Sequence, residues 1–111
     1  MQQDLLRIGT TTSVDRTIVS LKGELDVSSS ASLFECFAAV IRDRPAHLDV
    51  DLSQLEHTDS VGLFVTAHFQ SRDAGVPLRF LNPNLLVQEI LEVTGLADVL
   101  DVVNSTALCE A

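Results

Sequence analysis

Residues 48–69 constrain the fold most strongly, because their hydrophobic pattern changes from one period to another. In the first part Leu48, Val50 and Leu52 alternate with aspartates, which is typical of a half-buried strand. In the last part, apolar residues spaced three and four apart predict an amphipathic helix. The predicted helix face comprises Val61, Phe64, Val65 and His68. The pattern therefore predicts a strand that leads through a short loop into a helix.

The predicted loop, residues 56–60, is polar throughout. We expect Ser60 to cap the helix, with its hydroxyl at the helix end where backbone N–H groups lack partners. Gly62 follows in the first helical turn, where glycine costs about 1 kcal/mol relative to alanine. A glycine is favoured at such a position if another molecule approaches the backbone closely. The loop and the start of the helix are therefore the candidate functional site.

The rest of the chain alternates strand patterns with helix patterns. Strands are predicted at residues 5–10, 17–22, 48–52, 77–81 and 99–103, with helices after each of the middle three. For the first helix, Ser28, Ser29 and Ser30 are candidate caps, and Ser32-Leu33-Phe34-Glu35 fits a capping box. The predicted face of the last helix comprises Leu86, Val87, Ile90, Leu91 and Thr94.

This order of elements predicts the topology. Helices between strands require parallel crossovers, whereas the first two strands are close enough to form a hairpin. Alternating strands imply that one sheet face is less buried than the other. We therefore expect an α/β fold with a mixed four- to five-stranded sheet and helices mainly on one face. The 111 residues suit one domain, 1–111, with its core at about 5–103 and a tail or short helix at 104–111.

Charge and composition limit the classes of binding partner that we expect. The chain has 16 acidic and seven basic residues, a net charge of −9, and its basic residues are scattered. Nucleic acid and anionic membrane surfaces both require clustered Lys and Arg, so we expect neither as a partner. A protein with a basic face fits better. Because the sequence shows neither a membrane-spanning apolar run nor a signal peptide, we expect a cytoplasmic protein.

The sequence favours no catalytic function. Ser60, His57 and Asp59 supply the residue types of a hydrolase triad, but they crowd within four positions and no G-x-S-x-G motif is present. The five glycines are dispersed, so no phosphate-binding loop is predicted. The histidines lack metal-ligand spacing, and Cys36 and Cys109 form no metal motif. We therefore expect no enzyme activity, no metal and no cofactor; a redox role of the cysteines stays open.

Five short motifs occur along the chain in a characteristic order. They are Gly23-Glu24-Leu25-Asp26, Asp51-Leu52-Ser53, Asp59-Ser60-Val61-Gly62-Leu63, Leu81-Asn82-Pro83 and Leu91-Glu92-Val93-Thr94-Gly95-Leu96. In order and approximate spacing the chain resembles STAS domains, and within them the bacterial anti-sigma-factor antagonists. The resemblance covers roughly residues 5–103. It implies a single STAS domain and a role in the regulation of transcription.

The resemblance also implies a phosphorylation switch. Ser60 matches the serine that an anti-sigma factor, itself an ATP-dependent serine kinase, phosphorylates in that subgroup. The unphosphorylated antagonist binds the anti-sigma factor and frees its sigma factor, the phosphorylated form lets go, and a phosphatase would reverse the step. The partner-binding residues that the resemblance implies are Asp26, Thr58, Asp59, Ser60, Val61, Gly62 and Leu63. Thr58 and Ser53 are rival acceptor hydroxyls, and Val61 stands where many members carry a second small or hydroxylated residue.

An alternative from a different class of function stays open. The chain resembles STAS domains in general, and some of these serve as non-switching subunits of a scaffold or a lipid-transport complex. Neighbouring genes would separate the two functions, since a kinase gene favours the switch and transporter genes favour the subunit. In either case, the loops after two parallel strands, residues 23–28 and 57–63, are expected at the same sheet edge.

Overall fold

A five-stranded mixed sheet organises the chain. The computed structural model describes residues 6–58 and 61–104. Its elements are β1 (Leu6–Thr12), β2 (Arg16–Leu25), α1 (Val27–Arg42), β3 (His47–Thr58), α2 (Gly62–Ala74), β4 (Leu78–Leu81), α3 (Leu85–Val93), a 3-10 turn at Leu96–Asp98 and β5 (Val102–Val103). The predicted order of strands and helices is confirmed. The tail predicted at 104–111 lies outside the described residues except for Asn104.

The strands follow one another across the sheet in sequence order. β1 and β2 pair antiparallel as a hairpin, closed by a 2.8 Å hydrogen bond from the Ser13 backbone N–H to the Arg16 carbonyl. β2, β3, β4 and β5 pair parallel, which requires the crossovers that the helices supply. The carboxyl ends of β2 and β3 therefore lie at one edge, which we call the carboxyl edge of the sheet.

One face of the sheet carries the hydrophobic core. Along β2, the buried Val19 and Leu21 alternate with the exposed Ser20 and Lys22. The buried apolar side chains of α1, α2 and α3 join those of the strands in a single cluster. Within it, the Phe64 and Phe80 rings lie 5.2 Å apart. The helices thus cover one face of the sheet, as predicted, because their apolar sides are removed from water by packing against it.

The opposite face holds a buried ion-pair cluster that joins three strands. Asp49 on β3 is only 3% exposed. Arg79 on β4 donates from its Nε and one terminal nitrogen to the two carboxylate oxygens, each at 3.1 Å, and Arg16 on β2 donates to the same carboxylate. The hydrogen bonds to Asp49 raise the pKa of Arg79 above its usual value. The paired guanidinium groups satisfy a charge that would be costly to bury alone.

The predicted start of the polar loop is wrong, because β3 continues through residues 56–58. β2 pairs with β3 to the end, and the register shifts twice along the way. Because of these irregularities, the buried residues in the second half of β3 are spaced three apart instead of two. They are Leu52, Leu55 and Thr58. The alternating pattern is lost after Leu52, so the sequence predicts a strand end where the structure has bulges.

The predicted capping box of the first helix is also wrong. α1 begins at Val27, and Asp26 is its N-cap. The Asp26 carboxylate accepts from the Ser29 backbone N–H, while the Ser29 hydroxyl accepts from the Asp26 backbone N–H. This reciprocal pair closes the helix end before the chain reaches Ser32.

Two helix faces differ from prediction. The buried residues of α2 are Phe64, Ala67 and Ser71, whereas Val65 and His68 are only half-buried. In α3 only Val87 and Leu91 are buried, while Leu86 and Thr94 are exposed and Ile90 is half-buried. Both helices lie on a single sheet face, so their buried strips are narrower than the apolar patterns suggest.

Candidate functional site

The carboxyl edge brings two of the predicted site residues to neighbouring strand ends. The last register pair of β2 and β3 joins Leu25 to Thr58. Asp26 follows Leu25 directly, and the motif beginning at Asp59 follows Thr58. Adjacent strands lie about 4.8 Å apart, so both loops begin side by side. Asp59 and Ser60 themselves lie outside the described residues.

Asp26 is a partly exposed carboxylate fixed at a helix N-terminus. Its Oδ1 accepts from the Ser28 hydroxyl at 2.7 Å, from the Ser29 backbone N–H at 3.1 Å and from the Ser29 hydroxyl at 3.2 Å. These bonds, led by that from Ser28, lower the pKa of Asp26 below its ordinary value. The carboxylate therefore carries a negative charge at neutral pH, in a fixed orientation at the carboxyl edge.

The two rival hydroxyls differ in position and exposure. Thr58 ends β3 with only 2% of its surface exposed. A kinase needs an exposed hydroxyl, so this burial disfavours Thr58 as an acceptor. Ser53 is exposed but lies in the middle of β3, where its backbone N–H donates to Asp51 at 2.9 Å. Neither rival combines exposure with a position at the carboxyl edge.

The start of α2 differs from prediction by one residue. The N-cap position is Val61, whose side chain makes no capping hydrogen bond, and the helix begins at Gly62. The Phe64 backbone N–H donates to the Val61 carbonyl at 3.0 Å and closes the first turn. Ser60, which is predicted to cap the helix, directly precedes Val61 and lies outside the described residues. The end of α2 carries the positive pole of the helix dipole without a cap from Val61.

Gly62 is exposed, and nothing inside the described domain requires a glycine there. A Cβ atom at this position would meet no atom within 4 Å. Its backbone is not in the left-handed region, unlike that of Gly23, Gly75 and Gly95. The glycine leaves one side of the first helical turn open down to the backbone. On either side of it, Val61 and Leu63 are half-buried against the core.

The described residues show no constellation for a metal or a cofactor. No group of three or more His, Cys, Asp or Glu side chains in residues 6–58 and 61–104 could hold a metal ion. The cleft beside Gly23 is lined by Arg7, Lys22, Glu24 and Glu56, two cations and two carboxylates, and so favours no single ligand charge. In the same described ranges no helix is long and apolar enough to cross a membrane.

Comparison with known protein families identifies the fold. A family model described as "Mlab, STAS domain" matches residues 8–103, most of the chain. The chain belongs to the STAS domain family. Within residues 6–58 and 61–104, this STAS domain has the expected arrangement, a mixed sheet of five strands with three α-helices.

Named relatives of this STAS domain include antagonists of anti-sigma factors. The anti-sigma-F factor antagonist RsfB of Mycobacterium tuberculosis is 40% identical over 50 residues, which cover 45% of this chain and 41% of RsfB. An anti-sigma factor antagonist from Mycobacterium paratuberculosis superposes with a TM-score of 0.78 at 21% identity, over 87% of this chain and 84% of that one. The Bacillus cell fate determinant SpoIIAA in its phosphorylated form gives 0.69 at 16% identity, over 90% of each chain.

Sequence reasoning missed two features of this STAS domain for different reasons. The Asp26–Ser29 pair has the spacing of an N-cap and its third helical residue, so a capping search extended to aspartate would find it. The pairing of Asp49 with Arg16 and Arg79 spans 33 and 30 residues. No local pattern signals it, because strand register alone brings these residues together.

Proposed function

We propose that this STAS domain is an anti-sigma-factor antagonist that changes partners when Ser60 is phosphorylated. What supports the proposal most is the motif Asp59-Ser60-Val61-Gly62-Leu63, which precedes and opens α2 at the carboxyl edge, one strand away from the charged Asp26. The fixed, ionised carboxylate of Asp26 gives this edge a charged group that a protein partner can contact.

In the unphosphorylated state the domain binds an anti-sigma factor that is a serine kinase, and the sigma factor is freed. The open side of Gly62 admits a partner backbone without steric conflict. Val27, 79% exposed in the first turn of α1, adds apolar area beside Asp26. The net charge of −9 favours a partner with a basic contact surface. We expect the exchange to take place in the cytoplasm.

Phosphorylation of Ser60 reverses binding through charge. A phosphate adds about −1.5 to −2 charge at neutral pH. It would enter a region where Asp26 is already ionised, since the ordinary pKa of a carboxyl lies far below neutral pH and the Ser28 hydroxyl lowers the pKa of Asp26 further. The N-terminus of α2 stabilises the phosphate within the free domain, whereas a contact surface that fits the neutral hydroxyl must desolvate a dianion. Partner release follows, and a phosphatase restores the binding form.

The names of two similar proteins support the proposal. RsfB is named as an antagonist of an anti-sigma factor, and SpoIIAA is described in a phosphorylated form. The first of these matches extends over less than half of either chain. Direct biochemistry on this chain is therefore the appropriate test.

The test is phosphorylation by purified anti-sigma factors of the same organism, each incubated with ATP and the STAS domain. We expect one phosphate on the wild-type chain, mapped to Ser60 by mass spectrometry, and none on Ser60→Ala. Ser53→Ala is the matched control and should be phosphorylated like the wild type. A phosphate on Thr58 or Ser53, with Ser60 unmodified, contradicts the assignment.

A second candidate function is a non-switching STAS subunit of a scaffold or lipid-transport complex. The family model that matches the chain supports this second function, since its description names Mlab and not an antagonist. Stable co-purification with transporter subunits, unaffected by Ser60→Glu, would favour the subunit. Binding to an anti-sigma factor that Ser60→Glu weakens would favour the antagonist.

A further inference from the structure

Helix α3 carries a second apolar strip that the core does not use. Val87 and Leu91 are buried, but Leu86, Ile90 and Val93 follow one another on another side of the helix. Leu86 is 49% exposed, Val93 is 79% exposed, and Ile90 lies half-buried between them. These three residues, which we call the α3 outer strip, line a shallow groove with Glu89 and Thr94. A short helix with two apolar sides is typical of an element that is also covered on its outer side.

The surroundings of the α3 outer strip are acidic. Glu89 and Glu92 are exposed on the same helix, and the chain contains no Lys or Arg after Arg79. Pairing of two copies through this strip would bring four carboxylates together in a protein of net charge −9. An apolar surface with basic side chains around it is complementary to the strip, and a second copy of this chain is not.

The start of α3 is fixed close to the carboxyl edge. Asn84 caps the helix by accepting from the Val87 backbone N–H at 2.8 Å. The same side chain donates from its amide nitrogen to the Leu55 carbonyl on β3, also at 2.8 Å. Leu55 precedes Thr58 by three residues, which is about 10 Å along a strand. Asn84 therefore anchors the start of the strip about 10 Å from Thr58, the last residue of β3.

We propose that the α3 outer strip is a docking surface for the anti-sigma kinase, separate from the Ser60 switch. The proposal rests on the proposed function, because it assigns a second contact to the same partner. An apolar patch of the kinase with basic side chains around it covers Leu86, Ile90 and Val93, while Glu89 and Glu92 face those basic side chains. This contact raises the affinity of the kinase for the STAS domain, and it does not involve Ser60.

The experiment uses the double variant Leu86→Gln/Val93→Gln, since glutamine is polar but keeps helix propensity. Val14→Gln is the matched control, because Val14 is a fully exposed apolar residue in the β1–β2 turn, at the edge opposite to the carboxyl edge. Purified anti-sigma factors of the same organism are titrated calorimetrically with each variant, and phosphorylation kinetics are measured with the one that binds. Melting temperatures confirm that the variants are folded.

We expect the double variant to bind at least about tenfold more weakly and to raise KM with kcat unchanged, as loss of uniform binding requires. Val14→Gln should behave like the wild type, and Glu89→Gln should reduce the salt dependence of binding. If the wild type binds and the double variant binds equally well, the docking surface is refuted while the antagonist function stands. If the wild type binds no anti-sigma factor, both proposals fall. Dimerisation of the free chain that the double variant abolishes would assign the strip to a second copy and overturn the proposal.

Discussion

Two aspartates of this STAS domain show how the same side chain serves different purposes in different regions. Asp49 lies buried on the open sheet face between Arg16 and Arg79. Asp26 lies partly exposed at the carboxyl edge, held by the hydroxyl of Ser28 and by the backbone and side chain of Ser29. The first neutralises its charge within the domain, whereas the second keeps a charge where a partner can meet it.

The comparison distinguishes a residue that stabilises the fold, Asp49, from a residue that is available to a partner, Asp26. Removing Asp49 leaves two guanidinium groups without their shared partner, so stability should suffer and binding should not. Removing the charge of Asp26 changes the potential beside the Ser60 motif, so binding should suffer more than stability.

Asp49→Ala should have the largest effect, and on stability alone. Breaking a buried ion pair by removing one partner costs about 3–5 kcal/mol, and because both arginines are partly exposed, we expect a loss of about 3 kcal/mol. The melting temperature should fall by about 10 °C for a domain of this size. Calorimetric melting checks this, with Asp51→Ala as the matched control on the same strand. A loss below about 1 kcal/mol would show that the three-strand cluster is not needed.

Ser60→Glu should affect binding and leave the melting temperature nearly unchanged. One carboxylate supplies part of the charge of a phosphate, so affinity for the anti-sigma factor should fall about tenfold, or about 1.4 kcal/mol. Ser60→Ala is the control and should bind like the wild type, because only a hydroxyl is lost. Calorimetric titration measures both. Equal affinity of Ser60→Glu and Ser60→Ala would show that negative charge at residue 60 does not weaken binding, and it would contradict the switch.

Substitutions of Asp26 should separate its charge from its capping role. Asparagine caps helices about as well as aspartate, so Asp26→Asn should melt like the wild type yet bind or be phosphorylated less well. Asp26→Ala loses the cap as well and should melt at a lower temperature than Asp26→Asn. Melting curves and phosphorylation rates of the two variants check this. If Asp26→Asn keeps full binding and phosphorylation, the Asp26 carboxylate has only a capping role.

The pH dependence of Asp26 should be the smallest effect. Its pKa is lowered from 3.8, chiefly by the Ser28 hydroxyl. A lowered pKa means that the ionised cap contributes stability above pH 3.8, which is lost as the pH falls through the lower value of the folded state. In a carboxyl NMR titration, the Asp26 midpoint should lie below 3.8 and rise in Ser28→Ala. A midpoint that does not move in Ser28→Ala contradicts the assigned cause.

The sequence predicts the fold well where local patterns decide the structure. The hairpin of the first two strands follows from their short separation, and the parallel pairing of the others follows from the helices between them. It fails where strand register decides. The bulges in β3 hide its last residues from a search for alternation, and the partners of Asp49 lie some 30 residues away in sequence.

The candidate site is predicted in outline for a similar reason. Parallel strands bring Asp26 and Thr58 to neighbouring ends, which the order of elements alone implies. The burial of Thr58 and the open surroundings of Gly62 depend on packing that no local pattern reports. The exposed strip on α3 was missed for the same reason, since a sequence cannot show which of two apolar sides faces the core.

The switch can be measured directly by comparing the phosphorylated and unphosphorylated forms of this STAS domain. The STAS domain is phosphorylated by its anti-sigma kinase, the modification at Ser60 is verified by mass spectrometry, and both forms are titrated against that kinase in the calorimeter. We expect the affinity of the phosphorylated form to be at least about tenfold lower, with an unchanged melting temperature. Equal affinity of the two forms would contradict the switch.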